Sequence, residues 1–251
     1  MKSETREQLK TFIVGFATKM LSKAQGLPID DLRRAYPFHE LFFKGDAIVA
    51  FTLQRSIVTA MGKKFYPSLS KILASDIYQS VHLDYRIEGR LGDSTCNKIE
   101  QIVTDLRNRR RQPNHDKEMQ EILLSSVEEG KRAASVICDL YIDDFEGGPF
   151  FAEIKTPRPN LDICAESKKK ILYFLAIMQA EGHKGAAGYF AFPYNPFLTR
   201  EKYAHNFTRQ VMDMGKEVLI GEEFWNTIGG TGAYEELLEI IVEVRNELPL
   251  V

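Results

Sequence analysis

Two short apolar segments in the second half of the chain carry charged residues at positions where a buried strand rarely has them. Residues 136–142 include Asp139, and residues 150–155 include Glu153 and Lys155. Burying a charge inside a strand is unfavourable unless a partner neutralises it. The pattern therefore predicts two adjacent strands whose charged side chains meet at one site.

The residues between these segments favour a hairpin. Residues 143–149 have the sequence DDFEGGP, which is rich in turn formers. A hairpin symmetric about Gly147 would place Asp139 opposite Lys155 and Tyr141 opposite Glu153, with the charged side chains together on one face. A slip of one residue would reverse the faces of one strand. The other face would then carry the apolar residues Cys138, Leu140, Ile142, Ala152 and Ile154.

The predicted charged cluster suits phosphodiester chemistry. Two neighbouring carboxylates repel each other unless a positive charge lies between them. Mg²⁺ binds carboxylate oxygens while keeping positions for water and a substrate phosphate, which it polarises. An adjacent lysine can position the attacking water or stabilise developing negative charge. The cluster therefore favours a Mg²⁺-dependent hydrolase.

The rest of the chain predicts helices on either side of a sheet. Apolar periodicity favours helices over residues 1–25, 47–62, 67–78 and 116–134, another along 99–106, one containing residues 171–178, and a last one over 234–246. Further strands are predicted over 185–192 and 218–220, and the mixed pattern of 81–91 gives no assignment. We expect an α/β fold with a mixed β-sheet flanked by helices and a helical N-terminal region.

The charged residues also resemble a known motif. Asp139, thirteen intervening residues and then Glu153-Ile154-Lys155 before a helix is similar to the PD-(D/E)xK nuclease superfamily, although Cys138 stands where that motif has proline. The element order matches part of its αβββαβ restriction-endonuclease-like core. The resemblance implies that Asp139, Glu153 and the Ile154 carbonyl bind the metal, with Lys155 as catalytic lysine. Many relatives add a glutamate from a helix, for which the candidates are Glu121, Glu128 and Glu129.

Four segments narrow the resemblance. Residues 139–142, 153–160, 191–196 and 220–226 resemble TdeIII-type type II restriction endonucleases, and the likeness spans most of the chain. It implies a homodimer that makes Mg²⁺-dependent double-strand cuts in DNA, and this type is associated with GGNCC sites. The alternatives are another nuclease of the same fold, acting in DNA repair or on RNA, and a non-catalytic DNA-binding module. The complete charged set argues against the last.

We expect a single nuclease domain over 1–251. Residues 1–115 would form a mainly helical DNA-binding and dimerisation region, and residues 116–251 the catalytic core. The formal net charge of −2 excludes a generally polybasic protein, but a local basic groove can exist on a near-neutral one. Helix ends, caps and turns explain several basic and amide residues equally well. The candidate DNA contacts are Arg55, Lys63, Arg107, Arg109, Arg110, Arg158, Asn160, Lys168 and Asn195.

Other classes of protein lack support in the sequence. The three cysteines are widely spaced without a CxxC pair, which argues against a zinc module or a disulfide framework and favours reduced thiols in the cytoplasm. The charged N-terminus does not resemble a signal peptide, and no apolar run approaches the roughly 18 residues of a membrane span. No phosphate-binding P-loop is present, so a nucleotide cofactor is not expected.

Overall fold

The computed structural model describes residues 1–24, 28–43, 45–125 and 130–248. Short 3₁₀ and π segments cover His39–Leu41 and Met61–Phe65. Within the described residues the helices are α1 (Ser3–Ala24), α2 (Ile29–Ala35), α3 (Asp46–Ala60), α4 (Tyr66–Ala74), α5 (Asp93–Arg107), α6 (His115–Leu124), α7 (Leu161–Ala180), α8 (Asn206–Val211), α9 (Glu222–Gly229) and α10 (Ala233–Glu247). The strands are β1 (Val81–Gly92), β2 (Lys131–Ile142), β3 (Phe150–Ile154), β4 (Ala187–Phe192) and β5 (Val218–Ile220).

The five strands form one mixed sheet in the order β1-β2-β3-β4-β5. The pairs β1–β2 and β2–β3 are antiparallel, whereas β3–β4 and β4–β5 are parallel. Helix α7 makes the crossover from β3 to β4, because parallel neighbours need a long connection. The predicted mixed sheet with flanking helices is confirmed.

Two apolar cores lie on opposite sides of the sheet. One core packs α5 and α7 against the sheet and contains Ile99, Leu172 and Phe174. The other core lies under α1, α4, α9 and α10, and it contains Leu73 and Trp225. This sandwich of helices around a sheet is the arrangement in which both faces of the sheet are shielded from water.

The first 115 residues are joined to the rest of the chain through the sheet. Strand β1, which the sequence left unassigned, pairs with β2 from Val81↔Ile142 to Gly92↔Lys131. One strand of the sheet therefore comes from the first 115 residues. The helix expected over 116–134 is also too long, since α6 ends at Leu124 and β2 begins at Lys131.

Strands β1 and β2 exchange faces where Asp84 lies beside Asp139. Cys138 packs in the α7-side core, but Leu140, two residues further along, packs in the opposite core. Asp84 has a φ of 49°, a left-handed conformation that interrupts the regular pleat of β1 at this level. The expectation that Cys138 shares a face with Leu140 is therefore wrong.

No helix among the described residues has the length and apolar character that crossing a membrane requires.

Candidate active site

The charged side chains of β2 and β3 converge at the C-terminal end of β3. The Lys155 ammonium lies 2.7 Å from Asp139 Oδ2 and 2.8 Å from Glu153 Oε1. The main-chain N–H of Ile154 donates to the same Asp139 oxygen at 2.7 Å. One cation therefore bridges two carboxylates, one of which is also fixed by the backbone.

The register that produces this cluster differs from the symmetric hairpin expected from the sequence. Tyr141 pairs with Phe151 instead of Glu153, so the pairing is centred on Glu146 and not on Gly147. The difference is two residues, and a shift by an even number does not exchange the two faces of a strand. Asp139 and Lys155 consequently meet without being direct cross-strand partners.

The two acidic side chains occupy different environments. Glu153 is 2% exposed, whereas Asp139 is partly open to solvent. Burial by itself would lower the pKa of Lys155, but the Glu153 and Asp139 carboxylates outweigh that effect and raise it. Lys155 therefore stays positively charged at neutral pH.

A second lysine reaches the site from α7, and the sequence pattern did not predict it as an active-site residue. The Lys170 ammonium contacts Glu153 Oε1 at 2.9 Å and Oε2 at 3.1 Å. Residues 168–170 are all lysines, and successive helical positions point about 100° apart. This run indicates that at least one of the three faces the sheet, although the sequence does not identify which one.

The donor set fits a hard divalent cation. Two carboxylates converge beside the Ile154 main chain, and oxygen donors of this kind are the ligands that Mg²⁺ prefers. Two ammonium groups neutralise the carboxylates in this structure. Among the residues described, no group of three or more acidic, histidine or cysteine side chains forms a metal site.

Of the three candidate helix glutamates, Glu121 lies among the described residues, and its partner is an arginine. Glu121 on α6 makes two 3.0 Å hydrogen bonds with the Arg111 guanidinium, which lowers the pKa of Glu121. Its role in the active site is therefore not supported. Glu128 and Glu129 lie outside the described residues.

Lys168 is not available to DNA, so its prediction as a DNA contact is wrong. Its side chain is fully buried and its ammonium lies 2.5 Å from Glu118 Oε2 and 2.5 Å from Glu217 Oε1. Apolar periodicity already places residues 171 and 172 of this helix in the core, and Lys168 continues that face one turn earlier.

Several predicted DNA contacts have structural partners. Asn160 caps α7 by accepting a hydrogen bond from the Ile163 N–H at 2.8 Å, and Asn195 accepts one from the Phe197 N–H at 2.9 Å. The Arg158 guanidinium lies 5.0 Å from the centre of the Phe197 ring. These contacts supply local structural roles, and DNA contact by these residues stays a prediction.

The remaining candidates are exposed basic residues. Arg55 and Lys63 lie on α3 and on the following π segment, respectively. Arg107 pairs with Asp162 at the start of α7, and Arg109 donates to Gln210 at 2.9 Å. Arg110 is 3.8 Å from Asp105. The 107–110 cluster thus lies beside α7 and α8, while Arg55 and Lys63 belong to the N-terminal helices.

A cavity of about 640 Å³ lies next to the charged cluster. Its walls come from β2, α5, α7 and one residue of β1, and Lys170 connects it to Glu153. The basic side chains that line it are Arg86, Arg132, Lys169 and Lys170, together with the acidic Glu100 and Glu166.

Sequence matches to known proteins extend over most of the chain. Residues 1–245 match the family model described as type II restriction endonuclease, HinfI. The type II restriction enzyme HgiCII of Herpetosiphon aurantiacus is 31% identical over 211 residues, which cover 83% of this chain and 77% of that enzyme. HgiEI of the same organism is 30% identical, covering 83% and 76%.

A third relative is less similar in sequence. The type II restriction enzyme MjaII of Methanocaldococcus jannaschii is 27% identical over 241 residues, which cover 86% of this chain and 63% of that enzyme. No solved structure matches the chain. The resemblance to type II restriction endonucleases is confirmed, and the chain belongs to the HinfI family of these enzymes.

Proposed function

We propose that the protein cuts both strands of DNA at a short specific sequence by Mg²⁺-dependent phosphodiester hydrolysis. The observation that carries this proposal is the Lys155 ammonium bridging Asp139 and Glu153, in a chain of the restriction-endonuclease family. Asp139, Glu153 and the Ile154 carbonyl would hold the metal. Mg²⁺, when bound, polarises a phosphate and lowers the pKa of a water molecule.

The protein's own groups would act around that metal. The Ile154 N–H holds one oxygen of Asp139, which orients the other oxygen. Lys155 would donate to the phosphate and stabilise the negative charge that grows in the transition state. The near-complete burial of Glu153 keeps its carboxylate in one position and limits its contact with water.

The specific site and the assembly are part of the proposal. GGNCC is the sequence that the resemblance to TdeIII-type enzymes implies, and it is the first substrate to test. The proposed assembly is a homodimer, because cutting both strands at one symmetric sequence is most simply done by two equivalent active sites.

Cleavage of phage DNA tests the activity. Mg²⁺ should produce discrete bands that EDTA abolishes, whereas a smear would favour a nonspecific nuclease, and no cleavage with any divalent cation would favour a DNA-binding module. Lys155→Ala should abolish cleavage and retain DNA binding in Ca²⁺. Cleavage by Lys155→Ala at the wild-type rate would refute the assignment.

Specificity and assembly need separate measurements. A duplex that contains one GGNCC site should be cut, and a duplex that differs only in lacking this site should stay intact. Cleavage of both at equal rates would refute that site, and a sedimentation mass of one chain, with and without DNA, would refute the dimer.

A further inference from the structure

Lys170 makes the charged cluster electrically balanced. Glu153 receives Lys170 on both oxygens and Lys155 on one of them, and Lys155 also contacts Asp139. The four groups carry two negative and two positive charges. The free site is thus neutral, which compensates for the burial of Glu153.

A divalent cation on these carboxylates would upset this balance. The cation adds two positive charges next to two ammonium groups, and the repulsion between these like charges weakens the hold of Glu153 on an ammonium. Lys155 has Asp139 as a second partner, but the hydrogen bonds of Lys170 within the described structure go to Glu153 alone. Lys170 is therefore the ammonium that metal binding displaces most readily.

The displaced side chain has a place to go. Lys170 lines the 640 Å³ cavity, and Arg86 and Arg132 line it as well. Arg132 is only loosely paired, at 3.6 Å from Asp93, and Arg86 makes a long 3.4 Å contact with Ser135. An anion in this cavity would find Arg86, Arg132 and the released Lys170 beside the Lys169–Glu100 pair and Glu166, so basic groups outnumber acidic ones there, as a phosphodiester prefers.

We propose that Lys170 is a second lysine of the active site, which yields Glu153 to the metal and then binds a phosphate of the DNA strand in this cavity. The DNA part of this inference rests on the proposed function. The exchange at Glu153 does not, because it concerns only this chain and a divalent cation.

Mg²⁺ binding without DNA tests the exchange. Lys170→Met removes the competing ammonium, so calorimetric titration should show Mg²⁺ affinity raised about tenfold over wild type. Lys169→Met is the matched control, because Lys169 pairs with Glu100 at 2.7 Å and not with Glu153, and its Mg²⁺ affinity should equal that of wild type. Unchanged or weaker Mg²⁺ binding by Lys170→Met would overturn the proposal.

DNA binding and cleavage test the phosphate contact. In Ca²⁺, Lys170→Met should lower the slope of log affinity against log salt by about 0.9, the loss of one phosphate contact. In saturating Mg²⁺ its cleavage rate should fall at least about tenfold, and Lys170→Arg, which keeps the charge, should recover part of the rate. An unchanged slope together with wild-type cleavage would overturn this step.

The two proposals can fail separately. If wild type cuts DNA and Lys170→Met cuts equally well with an unchanged salt slope, the phosphate contact of Lys170 is refuted while the nuclease stands. If wild type does not cut DNA, the nuclease is refuted, and the Mg²⁺ titration still decides the exchange at Glu153. Thermal unfolding of each variant verifies that it is folded, and Lys170→Arg provides a charge-preserving variant if Lys170→Met is unstable.

Discussion

The Lys168 ammonium lies 2.5 Å and 2.6 Å from the two carboxylate oxygens of Glu217, and both side chains are fully buried. Glu118 contacts the same ammonium from α6, and the His115 ring lies 3.0 Å from Glu217. This network joins α6 and α7 to the segment that leads into β5. It therefore fixes the helix that also carries Lys170.

Removing the central cation should destabilise the protein strongly. Lys168→Met would leave two buried carboxylates without their shared partner, which should cost about 3–5 kcal/mol in the free energy of unfolding. The cost should shrink as pH falls, because the unpaired carboxylates become protonated. Urea unfolding at pH 8 and pH 5 measures both effects. Lys169→Met, which removes a partly exposed ion pair, should change stability by less than about 1 kcal/mol; an equal cost for both variants would contradict the prediction.

Replacing each of the two glutamates of this network by the neutral glutamine should have different effects on stability. Burial would raise the pKa of Glu217, but Lys168 and His115 outweigh it and lower that pKa. Burial raises the pKa of Glu118 despite Lys168. Ionised Glu217 thus stabilises the fold above the unfolded pKa of about 4.3, and this contribution is lost as pH falls through the folded pKa. The contribution of Glu118 is present below that unfolded value and is lost as pH rises.

Chemical unfolding of Glu217→Gln and Glu118→Gln checks this asymmetry. At pH 7.5 we expect Glu217→Gln to lose about 3 kcal/mol and Glu118→Gln to be neutral or stabilising. The loss from Glu217→Gln should decline only below about pH 4.5. A larger loss of stability from Glu118→Gln than from Glu217→Gln at pH 7.5 would show that Lys168 stabilises the fold mainly through Glu118.

The sequence predicted the chemistry of the hairpin more reliably than its geometry. Period-two alternation and isolated charges were sufficient to predict that Asp139, Glu153 and Lys155 lie in one cluster. The predicted register was wrong by two residues, since the observed pairing of Ile142 with Phe150 centres the hairpin on Glu146 and not on Gly147. A shift of two preserves the faces, which is why the cluster survives the error.

Features that depend on tertiary packing were not accessible from the sequence. The face exchange at Asp84 breaks the alternation of β1, and this explains why 81–91 gave no assignment. Lys168 and Lys170 are chemically identical neighbours on α7, yet one binds Glu217 and the other Glu153. Only the position of α7 over the sheet separates these roles.

Gly185, just before β4, packs against Gly147 in the loop between β2 and β3. A Cβ on Gly185 would lie 1.6 Å from the carbonyl oxygen of Gly147, and backbone cannot move aside as a side chain can. Gly185→Ala should therefore destabilise the protein by about 1–3 kcal/mol. Gly15→Ala is the matched control, since no atom lies within 4 Å of its Cβ position on α1 and alanine favours helix by up to about 1 kcal/mol. Thermal unfolding that ranked the two variants the other way would contradict this contact.

Asn160 offers a way to separate a helix cap from a DNA contact. Its Oδ1 accepts from the Ile163 N–H at the start of α7, so Asn160→Ala should lose about 1 kcal/mol of stability. Asn160→Asp keeps the acceptor and should retain the wild-type unfolding temperature, because a negative charge is favourable at a helix N-terminus. If Asn160 also lies against DNA, Asn160→Asp should weaken DNA binding in Ca²⁺ more than Asn160→Ala, because the added carboxylate repels phosphate. Equal DNA affinity of Asn160→Asp and wild type would restrict Asn160 to its role as a cap.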